Sequence, residues 1–149
     1  MVGKKGKYIL FGLVALLVAY MVYDAGSEPG INDLKGTYRE VAMYRNENNT
    51  GPIVRIYAVT VTDTLWEEMR QYGDFMLYTK YGTTKVYFFP ESRPAPKQVF
   101  PKRPHFDKKY ESSCLAVYEK DAMSQVSFRK MPFTQQTAED KHELIVGAK

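Results

Sequence analysis

His105, Asp107 and Cys114 are the side chains whose types could form a nucleophile, a base and an orienting acid. Such a thiol site needs its members held rigidly within hydrogen-bond reach of one another. Nothing in their spacing is diagnostic, and His105 lies in a proline-rich stretch. The second histidine, His142, stands beside Glu143 in a polar tail. Cys114 sits in the apolar run Ser113-Cys-Leu-Ala-Val117 and reads as a small buried hydrophobe. The sharper alternative is an odd thiol that bridges to another chain in an oxidising compartment. One cysteine excludes an intramolecular disulfide framework and a cysteine-rich zinc site. Paired carboxylates for glycoside hydrolysis could be drawn from Asp63, Glu67, Glu68 and Asp74, but helix capping and a solvated helix face explain all four. No glycine-rich phosphate loop follows a strand, and no metal-ligand spacing occurs. No catalytic residue, cofactor or metal is therefore expected.

Binding chemistry is better represented. Residues 90–110 carry five of the eight prolines, at 90, 94, 96, 101 and 104. Six basic residues stand there against the two acids Glu91 and Asp107, an excess of four that equals the formal net charge of the chain. The rest of the chain sums to zero, although Lys4, Lys5 and Lys7 lie within it. The candidate binding residues are Arg93, Lys97, Phe100, Lys102, Arg103, His105, Phe106, Lys108, Lys109 and Tyr110. Long irregular inserts in compact domains are often functional, and proline lowers the cost of ordering them on a partner. The expectation is an extended basic protrusion with Phe100, Phe106 and Tyr110 as apolar anchors. Cations of this density suit lipid headgroups, an anionic envelope polymer or an acidic protein face. Basic residues interleaved with aromatics would also suit single-stranded nucleic acid, and Pro101 to Pro104 matches a polyproline-ligand spacing. The compartment inferred below argues against both. The bland alternative is a solvated connection between two strands. Tyr78, Tyr81, Tyr87 and Tyr110 form a second set of candidate contacts, although a sheet needs most of its aromatics as core.

The elements that must position these residues follow from periodicity. Residues 37–45, rich in Tyr and Val, are followed by a run of turn formers and then by Ile53 to Thr62, which is a hairpin signal. Helix competes with strand in the first arm, because Leu34, Tyr38, Val41 and Ala42 also share a helical face. Strand is favoured. Ile53 to Thr62 is apolar on both alternating faces, as a central strand is. Thr64 and Glu67 have capping-box spacing, with Asp63 as an alternative cap. Behind them Leu65, Met69, Tyr72 and Met76 line one face of a helix, with Glu67, Glu68 and Arg70 pointing away and Gly73 marking close packing or an early end. Lys85 to Phe89 is a second two-faced strand, so strand, helix and strand suggest a parallel crossover. Cys114 to Glu119 and Ser124 to Arg129 read as two more strands, the last half-exposed near an edge with Val126 and Phe128 inward.

Tyr8 to Tyr23 is a run of sixteen residues without a charge. A helix of that length covers ~24 Å, short of the ~30 Å hydrocarbon core, and flanking tyrosines and lysines can make up the difference. It reads as an uncleaved signal anchor, with a cleavable signal peptide and a buried core helix as alternatives. Cutting after Ala25 or Ala19 would leave Tyr23 or Leu17 at the third-last position, which disfavours cleavage. Lysines before the run and Asp24 and Glu28 after it keep the N-terminus cytoplasmic. The expected plan is a basic N-terminus at 1–7, a transmembrane segment at 8–23, a flexible tether at 24–36, a globular domain at 37–133 and a polar tail at 134–149. The fold class is α+β, a mixed, mostly antiparallel sheet of about five strands with one main amphipathic helix on a face. The function expected is a membrane-anchored periplasmic binding or accessory module, non-enzymatic, using loop 90–110. A small envelope hydrolase or thiol enzyme and a structural scaffold are the alternatives.

Overall fold

The computed structural model describes residues 3–134. The chain divides into two compact units, Met1–Asp33 and Leu34–Lys149. Residues 135–149 of the expected polar tail, where Thr137 to Asp140 could start one short helix ending near Val146 or the whole piece could fray, lie outside the described residues.

The first unit is dominated by α1, Lys4–Ser27. Its 24 residues span about 36 Å at 1.5 Å per residue. The apolar run alone is short of a bilayer, but the helix continues past both of its ends. It is the one helix among the described residues long and apolar enough to cross a membrane. No residue of it is buried. It stops at Ser27 because the residue before a proline is disfavoured in helical backbone, and Glu28, extended at ψ 126°, precedes Pro29. Part of the expected tether is thus helical, and Ile31–Asp33 adds a 3-10 turn.

The second unit is a five-stranded mixed sheet in the order β1-β2-β3-β4-β5, with β1 Tyr38–Arg45, β2 Val54–Val61, β3 Thr83–Pro90, β4 Ala116–Lys120 and β5 Val126–Lys130. Helix α2, Trp66–Phe75, connects β2 to β3. Only β2 and β3 pair in parallel, and the other neighbours are antiparallel. Strands β2 and β3 are central and buried on both faces, as their double apolar pattern requires.

Two apolar layers cover the two faces. Under α2 lie Tyr57, Val59, Val86, Phe88, Ala116 and Tyr118, packed with Met69 and Tyr72 of the helix. On the opposite face Ile56, Ala58, Tyr87, Phe89 and Val117 pack with Val99 and Phe106 of the proline-rich loop. The ambiguity of the first arm has a structural cause. The β1–β2 register shifts between Glu40 and Ala42, which bulges the strand at Val41 and moves its inward residues to the other face. Tyr38 therefore packs on the α2 layer, whereas Val41, Ala42 and Tyr44 pack on the loop layer. A bulge of this kind imitates helical spacing within a strand.

The expected capping box of α2 does not form, since Leu65 precedes the helix and no side chain caps it. Glu68 does not point away either. Its carboxylate accepts from the backbone N–H groups of Lys35 and Gly36 at 3.1 and 2.9 Å. A tertiary demand for a charged acceptor outweighs the local motif. At Gly73 a Cβ would fall within the Tyr118 ring, so glycine is what lets the helix lie against β4. Strand β5 starts two residues later than its apolar pattern suggests, because Asp121 holds the turn by accepting from Met123 and Gln125 N–H at 2.9 Å each. Val126 remains 37% exposed there, and only Phe128 packs inward.

Candidate functional site

The loop after β3 is a folded cover rather than an extended protrusion. Pro96, Val99, His105 and Phe106 are buried, while Lys97, Gln98, Lys102 and Arg103 face solvent. Phe106 is the main anchor. Its ring meets Tyr87 at 5.0 Å, Phe89 at 5.3 Å and Phe133 at 5.7 Å, all edge-on, the geometry that aligns ring edges with ring faces. A backbone clasp closes the tip: Phe100 N–H donates to His105 O at 2.6 Å, and the His105 ring nitrogen Nδ1 lies 2.9 Å from Phe100 O. The clasp turns residues 101–104 outward, with a cis peptide between Arg103 and Pro104. Lys108–Ser113 then forms a 3-10 turn whose first N–H groups are met by Asp107, which accepts from Lys109 N–H at 3.3 Å.

The ten candidate binding residues are thereby sorted into two layers. Arg93, Lys97, Lys102, Arg103, Lys108 and Lys109 are exposed, and Phe100 is 46% exposed at the rim. Tyr110 is half-buried under Lys109, whose Nζ lies 4.9 Å from its ring centre. His105 and Phe106 belong to the interior. Both acids of the loop are engaged: Glu91 pairs with Arg39 at 3.3 Å and Asp107 with Lys109 at 3.4 Å. Arg93, Lys97, Lys102, Arg103 and Lys108 have no acidic partner among the described residues. An open groove of about 640 Å³ runs along this surface, with Lys97, Phe100 and Pro104 on its walls and Lys109 and Tyr110 at one side.

A smaller pocket of about 210 Å³ lies against the sheet on the inner side of the loop tip. Its floor is a row across three strands, since Tyr87 pairs with Val117 and Val117 with Arg129. Arg103, His105 and Glu111 join from the loop side, with Phe106 and Phe133 as apolar wall. Burial raises the Tyr87 phenol, opposed by the charges of Arg103 and Arg129. Burial also lowers the His105 imidazole, with Lys85 and Arg103 acting in the same direction and the Phe100 carbonyl against them. Close by on β3 and β4, Lys85 and Glu119 form a largely buried ion pair at 3.3 Å. Arg129 and Glu111 carried no functional signal in sequence. Arg129 reads there only as the outward residue of an edge strand.

The thiol alternative finds little geometry to support it. Cys114 is buried and free, its thiol donates to Ala116 O at 3.5 Å, and burial pushes it up to about 12. A thiolate at neutral pH is thereby disfavoured. The His105 ring is engaged by Phe100 rather than by the thiol. Among the described residues no cluster of three or more His, Cys, Asp or Glu side chains could hold a metal ion. Of the tyrosines, Tyr87 is buried, Tyr81 is 64% exposed, and Tyr78 donates to Asp121 O at 2.9 Å.

Fold and surface together define an α+β domain with a five-stranded mixed sheet, covered on one face by a helix and on the other by a basic loop, in a chain with a long apolar N-terminal helix. No known protein family, curated protein or solved structure matches it.

Proposed function

We propose that the protein is a non-enzymatic, membrane-anchored binding module of the cell envelope. On this reading α1 stays in the membrane with Lys4, Lys5 and Lys7 on the cytoplasmic side, the folded domain lies outside the cytoplasm, and the outer surface of loop 90–110 meets a polyanionic partner, an acidic protein face or an envelope polymer. The observation that carries it is the pairing pattern of the loop. Five cations stand without acidic partners among the described residues, on a scaffold pinned by Phe106, Val99 and Pro96. Because the scaffold is already packed, little ordering entropy is lost when a partner docks, and the cations can steer its approach.

The test uses the full-length protein in native membranes with a photo-crosslinker at Gln98, an exposed residue of the groove. The expected adduct is an acidic protein or an anionic polymer, and the chemistry of the captured material separates the two. It should fade as ionic strength rises and vanish in the triple charge reversal K97E/K102E/K108E. An adduct indifferent to salt and to charge reversal would overturn the proposal.

A further inference from the structure

We infer that the pocket between the loop tip and β3–β5 is a binding site for a compact organic acid with a hydroxyl beside its carboxylate. Three independent features converge there. Two guanidiniums, Arg103 and Arg129, line the pocket without an ion-pair partner among the described residues, and planar forks of this kind match a carboxylate. Among the described residues Glu111 is the single acid of the lining and leaves the guanidiniums in excess. His105 is 8% exposed, and its Nε2 is buried without a hydrogen-bond partner among the described residues. Because Nδ1 is held at the Phe100 carbonyl, it carries the proton, and Nε2 is left as an acceptor in need of a donor. Buried polar atoms left unmatched are uncommon in folded proteins and point to a missing partner. A ligand hydroxyl would supply that donor.

Size and lining restrict the rest. A volume of about 210 Å³ is below the ~300–1,000 Å³ that holds drug-sized ligands, so the acid is small. Val117, Phe106 and Phe133 offer its body an apolar wall. The site is chemically separate from the outer lysines: Lys97, Lys102 and Lys108 do not line it. Failure of the crosslinking proposal therefore leaves this one standing, and the triple charge reversal should bind the acid as the native chain does.

The experiment is isothermal titration of the full-length protein in detergent micelles with three probes, mandelate, phenylacetate and mandelamide. Mandelate should bind, phenylacetate several-fold more weakly for want of the hydroxyl, and the uncharged amide not measurably. R103Q and R129Q should each weaken mandelate by about tenfold, as expected for loss of one charge-assisted contact. E111Q should tighten it. Both arginines are exposed, so these variants keep the fold, and an unchanged melting temperature without ligand checks that. The inference is overturned if mandelate does not bind at millimolar concentration, if the amide binds as well as the acid, or if both arginine variants bind like the native chain. Inorganic phosphate competing on equal terms with mandelate would also overturn it, because the apolar wall would then contribute nothing.

Discussion

His105 occupies a position in which protonation and folding oppose each other. Burial holds its folded-state pKa below the ordinary 6.5, while the unfolded chain titrates at the ordinary value. The unfolded state therefore binds the proton first as pH falls, and linkage makes stability rise with pH across that window. The contribution is fully present above about 6.5 and is lost as pH drops from there towards the folded-state value. Lys85 and Arg103 add to the depression, and Glu119 opposes it. Melting temperature followed between neutral and mildly acidic pH should fall, and H105Q should flatten that fall. A native profile as flat as the variant's would contradict the assignment. Cys114 gives a second expectation. With its thiol pushed up to about 12 and 2% exposed, it should resist a maleimide probe in the folded chain and react on unfolding, whereas prompt native labelling would contradict its burial.

The proline-rich loop acts as the second cover of the sheet, doing on one face what α2 does on the other. Its energetic weight can be measured at Phe106. Truncation to Ala removes the ring that meets Tyr87, Phe89 and Phe133, and buried Phe→Ala changes cost about 3–5 kcal/mol. The neighbouring Phe100, 46% exposed, should cost under about 1 kcal/mol when truncated. Equal losses in chemical denaturation would mean that the loop is not core. On the opposite cover, Gly73→Ala drives a methyl into the Tyr118 ring and should destabilise by about 1–3 kcal/mol through overpacking. That ring cannot simply swing aside, because its hydroxyl donates to Asp74 Oδ1 at 2.7 Å. A stabilised G73A variant, as helix propensity alone would predict, would refute the close approach.

At the scale of the whole molecule, the prediction concerns α1. Its 24 residues exceed the ~20 needed to span a bilayer, so full-length protein should stay with membranes through alkaline extraction, and deletion of residues 4–27 should release the domain. Sequencing the mature N-terminus separates anchor from signal. Retention of Met1 or Val2 supports the anchor, and a start near Gly26 would remove it. The apolar N-terminal run, the two central strands, the helix between them and the edge strand were all legible in the sequence, because each rests on local periodicity of apolar side chains. The basic excess of the loop was legible too, since charge is read by counting. What only the tertiary structure decided is which loop residues face outward and which are core. Phe100 and Phe106, or Arg103 and His105, look alike in sequence, and they part because the β3 and β4 faces lacking a helix draw Phe106 and His105 inward to cover them. The inner pocket is non-local for the same reason. It is assembled from β3, β4, β5 and the loop, and no spacing along the chain records that Tyr87, Val117 and Arg129 lie in one row.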